Sequence, residues 1–121
     1  MELPKQGSLC WFDLRAKDTS KIKSFYKELL NWTFEAFGDG YELIQLDGSP
    51  IGGLCSLEDE IIYGNTPVIY FAVDELNPAI EKLKTLKAEL VGERIDIGSD
   101  CGCFQNFKDP AGNFVALWAS K

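Results

Sequence analysis

The same plan runs through this chain twice, and that repeat restricts the folds open to it. Ser8 to Leu14 reads Ser-Leu-Cys-Trp-Phe-Asp-Leu, an aromatic and aliphatic run suited to a strand buried on at least one face. Asp18 or Thr19 can then accept from the exposed amides of a first helical turn. Ile22, Phe25, Tyr26, Leu29 and Leu30 follow at three-and-four spacing, the stripe of an amphipathic helix with Lys21, Lys23, Lys27 and Glu28 on its solvated side. Strand-like segments come next at 33–37, 41–46 and 50–56, separated by Gly-Asp-Gly and Asp-Gly-Ser hairpin signals. From Val68 the order recurs: a strand to Val73, a helix capped by Asn77 with Pro78 at its first position and Ile80, Leu83 and Leu86 as its apolar face, then strands at 89–97, 103–108 and 113–119. An offset of about 57 residues sets Trp11 on Val68, Leu14 on Phe71, Leu29 on Leu86 and Phe34 on Val91.

The expected class is therefore α+β, two tandem βαβββ modules in one domain over residues 1–121. Module one covers about 7–57, a linker rich in acidic residues, Gly and Asn about 58–66, and module two about 67–120. A helix covers only one face of each module's sheet; the other must meet the second module or a ligand, which predicts a curved mixed sheet around a cleft. A hydrophobic content of 45% supports a packed core rather than disorder.

A formal net charge of -7 repels phosphate backbones and anionic lipid, so nucleic acid and membrane surfaces are not expected partners. The apolar runs are short and the start, Met1-Glu2-Leu3-Pro4-Lys5, lacks the basic-then-apolar pattern of a secretion signal, which places the chain by default in the cytoplasm. Its 4 cysteines, Cys10, Cys55, Cys101 and Cys103, are read as reduced thiols, since a chain of this size needs no disulfide staples.

Two stretches resemble a known family. Cys10-Trp-Phe-Asp-Leu14, Asp18 and Phe25-Tyr-Lys-Glu-Leu-Leu-Asn-Trp32 are similar to the opening of glyoxalase-like proteins. Phe107-Lys-Asp-Pro-Ala-Gly-Asn-Phe-Val-Ala-Leu-Trp118 resembles the closing Asp-Pro-x-Gly-Asn turn and last strand of the glyoxalase/bleomycin resistance/extradiol dioxygenase (vicinal oxygen chelate) superfamily, with Pro110 and Gly112 suited to that turn. The resemblance implies the glyoxalase fold. It also implies a divalent metal held by His, Glu or Gln: one ligand early in the first strand, one late in the first module, one in the fifth strand and one in the last. Those places hold Trp11, a residue close to Gly53, Val68 and Ala116, and the chain contains no histidine. A catalytic cation needs about three imidazole or carboxylate donors, so no metal and no other cofactor is expected.

Anchoring strand alternation on those positions aims Leu9, Trp11 and Asp13 into the cleft, with Val68, Tyr70 and Ala72, and with Phe114, Ala116 and Trp118. Phe12, Leu14, Ile69, Phe71, Val115 and Leu117 go beneath the helices. The expected ligand-binding set is Trp11, Asp13, Tyr41, Gly53, Val68, Tyr70, Cys103, Phe114, Ala116 and Trp118, an aromatic lining suited to a planar or hydrophobic small molecule. The same rings can instead simply fill the cavity. Asp13 is the candidate catalytic base; the plainer alternative is a structural hydrogen bond or ion pair. Tyr41 and Tyr70 can orient a ligand through their hydroxyls or satisfy structural partners. Gly53, beside Gly52, admits a close backbone approach or marks a bulge. The segment 98–103 reads as a flexible loop offering Cys101 or Cys103, whose activation as thiolates is opposed by Asp100.

Three functions follow. The first is a metal-free protein binding a small hydrophobic or aromatic molecule; the second is a lyase or isomerase of the superfamily using Asp13 as base; the third is a non-catalytic interaction module. A homodimer is compatible with each.

Overall fold

The computed structural model describes residues 3–56 and 67–121. The expected linker over 58–66 lies outside the described residues. The chain divides into two compact units, one running from Trp11 to Pro67, the other combining residues up to Cys10 with Val68–Lys121. Together they carry the α+β composition expected, with a strand, a helix and three strands repeated in order.

The N-terminal module contains β1 (Leu9–Ala16), α1 (Thr19–Leu30), β2 (Thr33–Ala36), β3 (Tyr41–Leu46) and β4 (Ser49–Ser56), in the spatial order β2-β3-β4-β1. Asp18 caps α1, its carboxylate accepting the Lys21 amide at 3.1 Å, and Asn31 ends it in the left-handed region at φ 60°. Asp47 and Gly48, at φ 51° and 80°, form the two-residue turn between β3 and β4, where both central positions require positive φ. Beneath α1 the side chains of Ala16, Ile44 and Leu54 are buried, with Phe12, Leu14, Ile22, Trp32 and Phe34 packed around them. That is the helix-side face expected for Phe12 and Leu14. The helix meets it through Ile22, while Tyr26 stacks on Trp32 at 4.8 Å between ring centroids. The rest of the apolar stripe departs from expectation: Phe25 and Leu29 are 56% and 61% exposed, because the helix touches its sheet along a narrower seam than the stripe is wide.

In the C-terminal module β5 (Val68–Ala72), α2 (Leu76–Thr85), β6 (Glu89–Asp96), β7 (Cys103–Lys108) and β8 (Phe114–Ala119) take the order β5-β8-β7-β6. Residues at the chain start belong here: the Gly7 amide donates to Ala72 O at 2.7 Å and the Ala72 amide to Ser8 O at 2.8 Å. The cap expected at Asn77 is corrected. The helix begins at Leu76, and no side chain caps it at Glu75. Leu76 is buried against Cys103 and Ala119, and its amide donates to Lys121 O at 2.9 Å, so packing rather than a capping side chain sets the start. Asn77 sits in the first turn and accepts from Arg94 Nη1 at 2.8 Å. Asp109 organises the turn before β8, its Oδ1 accepting the Ala111 and Asn113 amides, each at 2.9 Å.

Candidate functional site

In the N-terminal module the strand pairing places Asp13 beside Gly53 and Gly53 beside Leu43, with Arg15, Cys55 and Tyr41 aligned one step along the same face. Alternation puts Trp11 on that face and Phe12 on the other. The Tyr41 ring leans over Gly53 toward β1. Its hydroxyl donates to Asp13 Oδ1 at 2.6 Å and accepts from Trp11 Nε1 at 3.0 Å. The direction is forced, because an ionised carboxylate only accepts and an indole N–H only donates. A Cβ on Gly53 would collide with the Tyr41 hydroxyl and its ring carbon and would stand 2.7 Å from Asp13 Oδ1. The glycine therefore admits Tyr41; a Cβ on the neighbouring Gly52 would instead meet Phe12 O and ring atoms at 2.7–2.8 Å. Asp13 is 6% exposed. Burial first, then the charge of Asp13 and the hydrogen bond to it, hold the Tyr41 hydroxyl far above the usual phenol range. This phenol is a fixed donor and not a base.

In the C-terminal module Tyr70, Ala116 and Asn106 lie in line across β5, β8 and β7, and Ala72, Trp118 and Phe104 form the next row. Val68, Tyr70, Ala116 and Asn106 are buried, Phe114 and Trp118 partly so. The Tyr70 ring meets Phe104 edge-on at 5.6 Å. Trp118 spends its indole N–H on Cys101 O at 2.9 Å, and Gly102 lies so close that a Cβ would stand 2.8 Å from the indole. The segment read as a flexible loop is a hydrogen-bonded turn: Ser99 and Asp100 have φ of 51° and 58°, and the Cys101 amide donates to Gly98 O at 2.9 Å.

Cys103 stands apart from the other expected contacts. It pairs with Ala119, one residue out of step with Trp118, and so faces α2, packed with Leu76 and Ala119. Burial pushes its thiol up, which keeps it protonated at neutral pH. On β7 the residues sharing the aromatic face are Phe104 and Asn106, which the sequence reading missed. Alternation along 103–108 carries that signal once the register with β8 is known.

A cavity of about 500 Å³ lies elsewhere in this module, on the α2 side, with Gln6, Val73, Lys82, Leu83 and Leu117 in its lining. Leu117 belongs to the face opposite Tyr70 and Ala116, so the cavity is separate from the aromatic set.

Among the described residues no three of His, Cys, Asp and Glu converge on a point. Val68 and Ala116 carry no donor atom, and Trp11 offers an N–H where a lone pair is required. Three of the superfamily's four ligand positions, Trp11, Val68 and Ala116, therefore do not fit a divalent metal.

Two βαβββ modules with these strand orders, and a hydrogen-bonded group of carboxylate, phenol and indole that includes Trp11 at one of the usual ligand positions, define a protein of the chelate fold with no metal-binding cluster among the described residues. The chain belongs to the Glyoxalase/Bleomycin resistance protein/Dioxygenase superfamily, whose family model matches residues 8–117. Solved structures with the same fold include a hypothetical protein, BH1468, of Bacillus halodurans C-125, 15% identical with 97% of this chain and 96% of that one covered, at a TM-score of 0.72. A methylmalonyl-CoA epimerase of Mycobacterium tuberculosis is 18% identical over 98% and 92% of the two chains, TM-score 0.67. An Mn(II)-bound glyoxalase of Novosphingobium aromaticivorans is 13% identical, covering 98% of this chain and 40% of that one, TM-score 0.69. No curated protein matches the sequence. No helix among the described residues is long and apolar enough to cross a membrane.

Proposed function

We propose that this protein binds a small hydrophobic or aromatic molecule without a metal, through the face of the N-terminal module that carries Trp11, Tyr41 and Asp13. The observation that supports it is the buried hydrogen-bonded group itself. Placing a carboxylate out of water costs several kcal/mol unless it is partnered, roughly 1–3 kcal/mol for each unmade hydrogen bond, and here a phenol, an indole and a glycine are arranged around one. A polar group set among aromatic side chains is the usual make-up of a small-molecule site. The aromatic face of the C-terminal module, with Tyr70, Phe104 and Phe114, has the same make-up around Asn106.

The enzyme reading is favoured by one feature, the burial of Asp13. As a general base it would take a proton from a carbon acid or hydroxyl held against Trp11, while Tyr41, its proton retained, could only donate.

Titration of the purified protein with 1-naphthylmethanol, followed by calorimetry before and after treatment with a strong chelator, tests the proposal. Saturable one-to-one binding unchanged by the chelator is expected. Binding that vanishes on chelation and returns with manganese, nickel or zinc would overturn it, as would no saturable binding at all. Asp13→Asn then separates the readings: loss of turnover with affinity kept identifies an enzyme, and equal loss of both identifies a binder.

A further inference from the structure

Tyr41 reads from sequence as a residue that touches the ligand, but its hydroxyl is already committed. It donates to Asp13 Oδ1 at 2.6 Å and accepts from Trp11 Nε1 at 3.0 Å. A phenol has one proton to give; here it goes to Asp13. The ring is seated over Gly53, where a single added Cβ would collide with it.

We propose that Tyr41 is the positioning residue of the site: its hydroxyl, fixed between Trp11 and Asp13, locks the indole plane and the carboxylate in one mutual orientation, so that both meet a ligand already set. This rests on the binding function proposed above and adds how the site is built. Trp11 and Asp13 lie two apart on β1, and alternation gives them a common face but does not by itself set their orientation relative to each other. The bridge from β3 ties the two side chains together before any ligand arrives. A site so arranged pays less rotamer entropy on binding. Gly53 is part of the same device, since the bridge can form only over a residue without a side chain.

The test has two readouts. In the first, the indole N–H resonances of the unliganded protein are recorded by 15N correlation NMR, with the Trp11 signal assigned by its loss in Trp11→Phe. Asp13→Asn should move the Trp11 signal in otherwise wild-type protein and leave it unmoved when Tyr41→Phe is also present, because the two groups communicate through the hydroxyl. In the second, 1-naphthylmethanol and 1-methylnaphthalene are bound to wild type and Tyr41→Phe. A positioning role predicts that both probes weaken by a similar factor, about threefold to tenfold. Loss confined to the hydroxyl-bearing probe would make Tyr41 a ligand contact and overturn the proposal. So would an Asp13→Asn effect on Trp11 of equal size in both backgrounds. If neither probe binds wild type, the binding function falls and the indole coupling alone decides the positioning role. If Tyr41→Phe does not fold, the absence of any Trp11 response to Asp13→Asn in wild-type background refutes it.

Discussion

Replacing Gly53 by alanine adds one methyl at the point where Tyr41 crosses from β3 to β1. Gly53 does not have a positive φ, so the backbone tolerates alanine, and the lower entropy of the unfolded chain would by itself favour it by about 0.4–1 kcal/mol. Against this, the new Cβ collides with the Tyr41 hydroxyl and its ring carbon and presses on Asp13 Oδ1 at 2.7 Å. The tyrosine must swing away, losing a hydrogen bond to a carboxylate, about 1.5–3 kcal/mol, and one to an indole, about 0.5–1.5 kcal/mol. The net expectation is a loss of about 2.5 kcal/mol, a fall in Tm of about 10 °C for a chain of this length. Urea and thermal unfolding measure it. The reasoning also requires non-additivity: with Tyr41→Ala already present, Gly53→Ala has room and should be neutral or slightly stabilising. A loss below about 0.5 kcal/mol, or the same loss in both backgrounds, would refute the account.

Tyr41 should also make the protein sensitive to alkali. Its hydroxyl is raised above the ordinary value of 10.0, so its contribution is fully present below that pH and is lost as pH climbs past it, when the unfolded chain releases a proton the folded one retains. Wild type should lose stability from about pH 9 to pH 11 more steeply than Tyr41→Phe, and one tyrosinate signal should emerge only on unfolding; parallel profiles would contradict this. Asp109 works in the opposite sense: the hydrogen bonds from Asn113 first, then the neighbouring amides, lower its carboxyl below 3.8. Its contribution is present above that value and disappears as pH falls through it, so the stability gap between wild type and Asp109→Ala should close on acidification, and a gap that persists would exclude the turn as its origin. Leu54→Ala, at a side chain 1% exposed under α1, should cost about 2–5 kcal/mol by denaturant unfolding; a cost under about 1 kcal/mol would mean the core of the N-terminal module lies elsewhere.

The repeat, the helices and the turns were legible because they depend on local chemistry. Three-and-four spacing marks α1, Asp18 its start, Asp47-Gly48 the hairpin and Asp109-Pro-Ala-Gly the last turn. That Trp11, Val68 and Ala116 offer no metal-binding lone pair was legible too, since donor atoms are a property of residue type. Alternation placed Trp11 with Asp13, and Phe12 with Leu14, on opposite faces of β1.

Register and packing were not legible, because they depend on which residues face each other across strands that are distant in sequence. A single step of pairing turns Cys103 toward α2 and Phe104 with Asn106 onto the aromatic face. The start of α2 moved to Leu76 because a buried leucine outweighs a capping asparagine, and Phe25 and Leu29 stayed exposed because amphipathic spacing gives the direction of a stripe but not the width of the surface it meets. Residue types alone gave the repeated plan of the fold and put Trp11, Val68 and Ala116 at three of its usual ligand positions. Only the tertiary structure brought Tyr41 over Gly53 onto Asp13, since that contact joins three strands through a space defined by the side chain that Gly53 lacks.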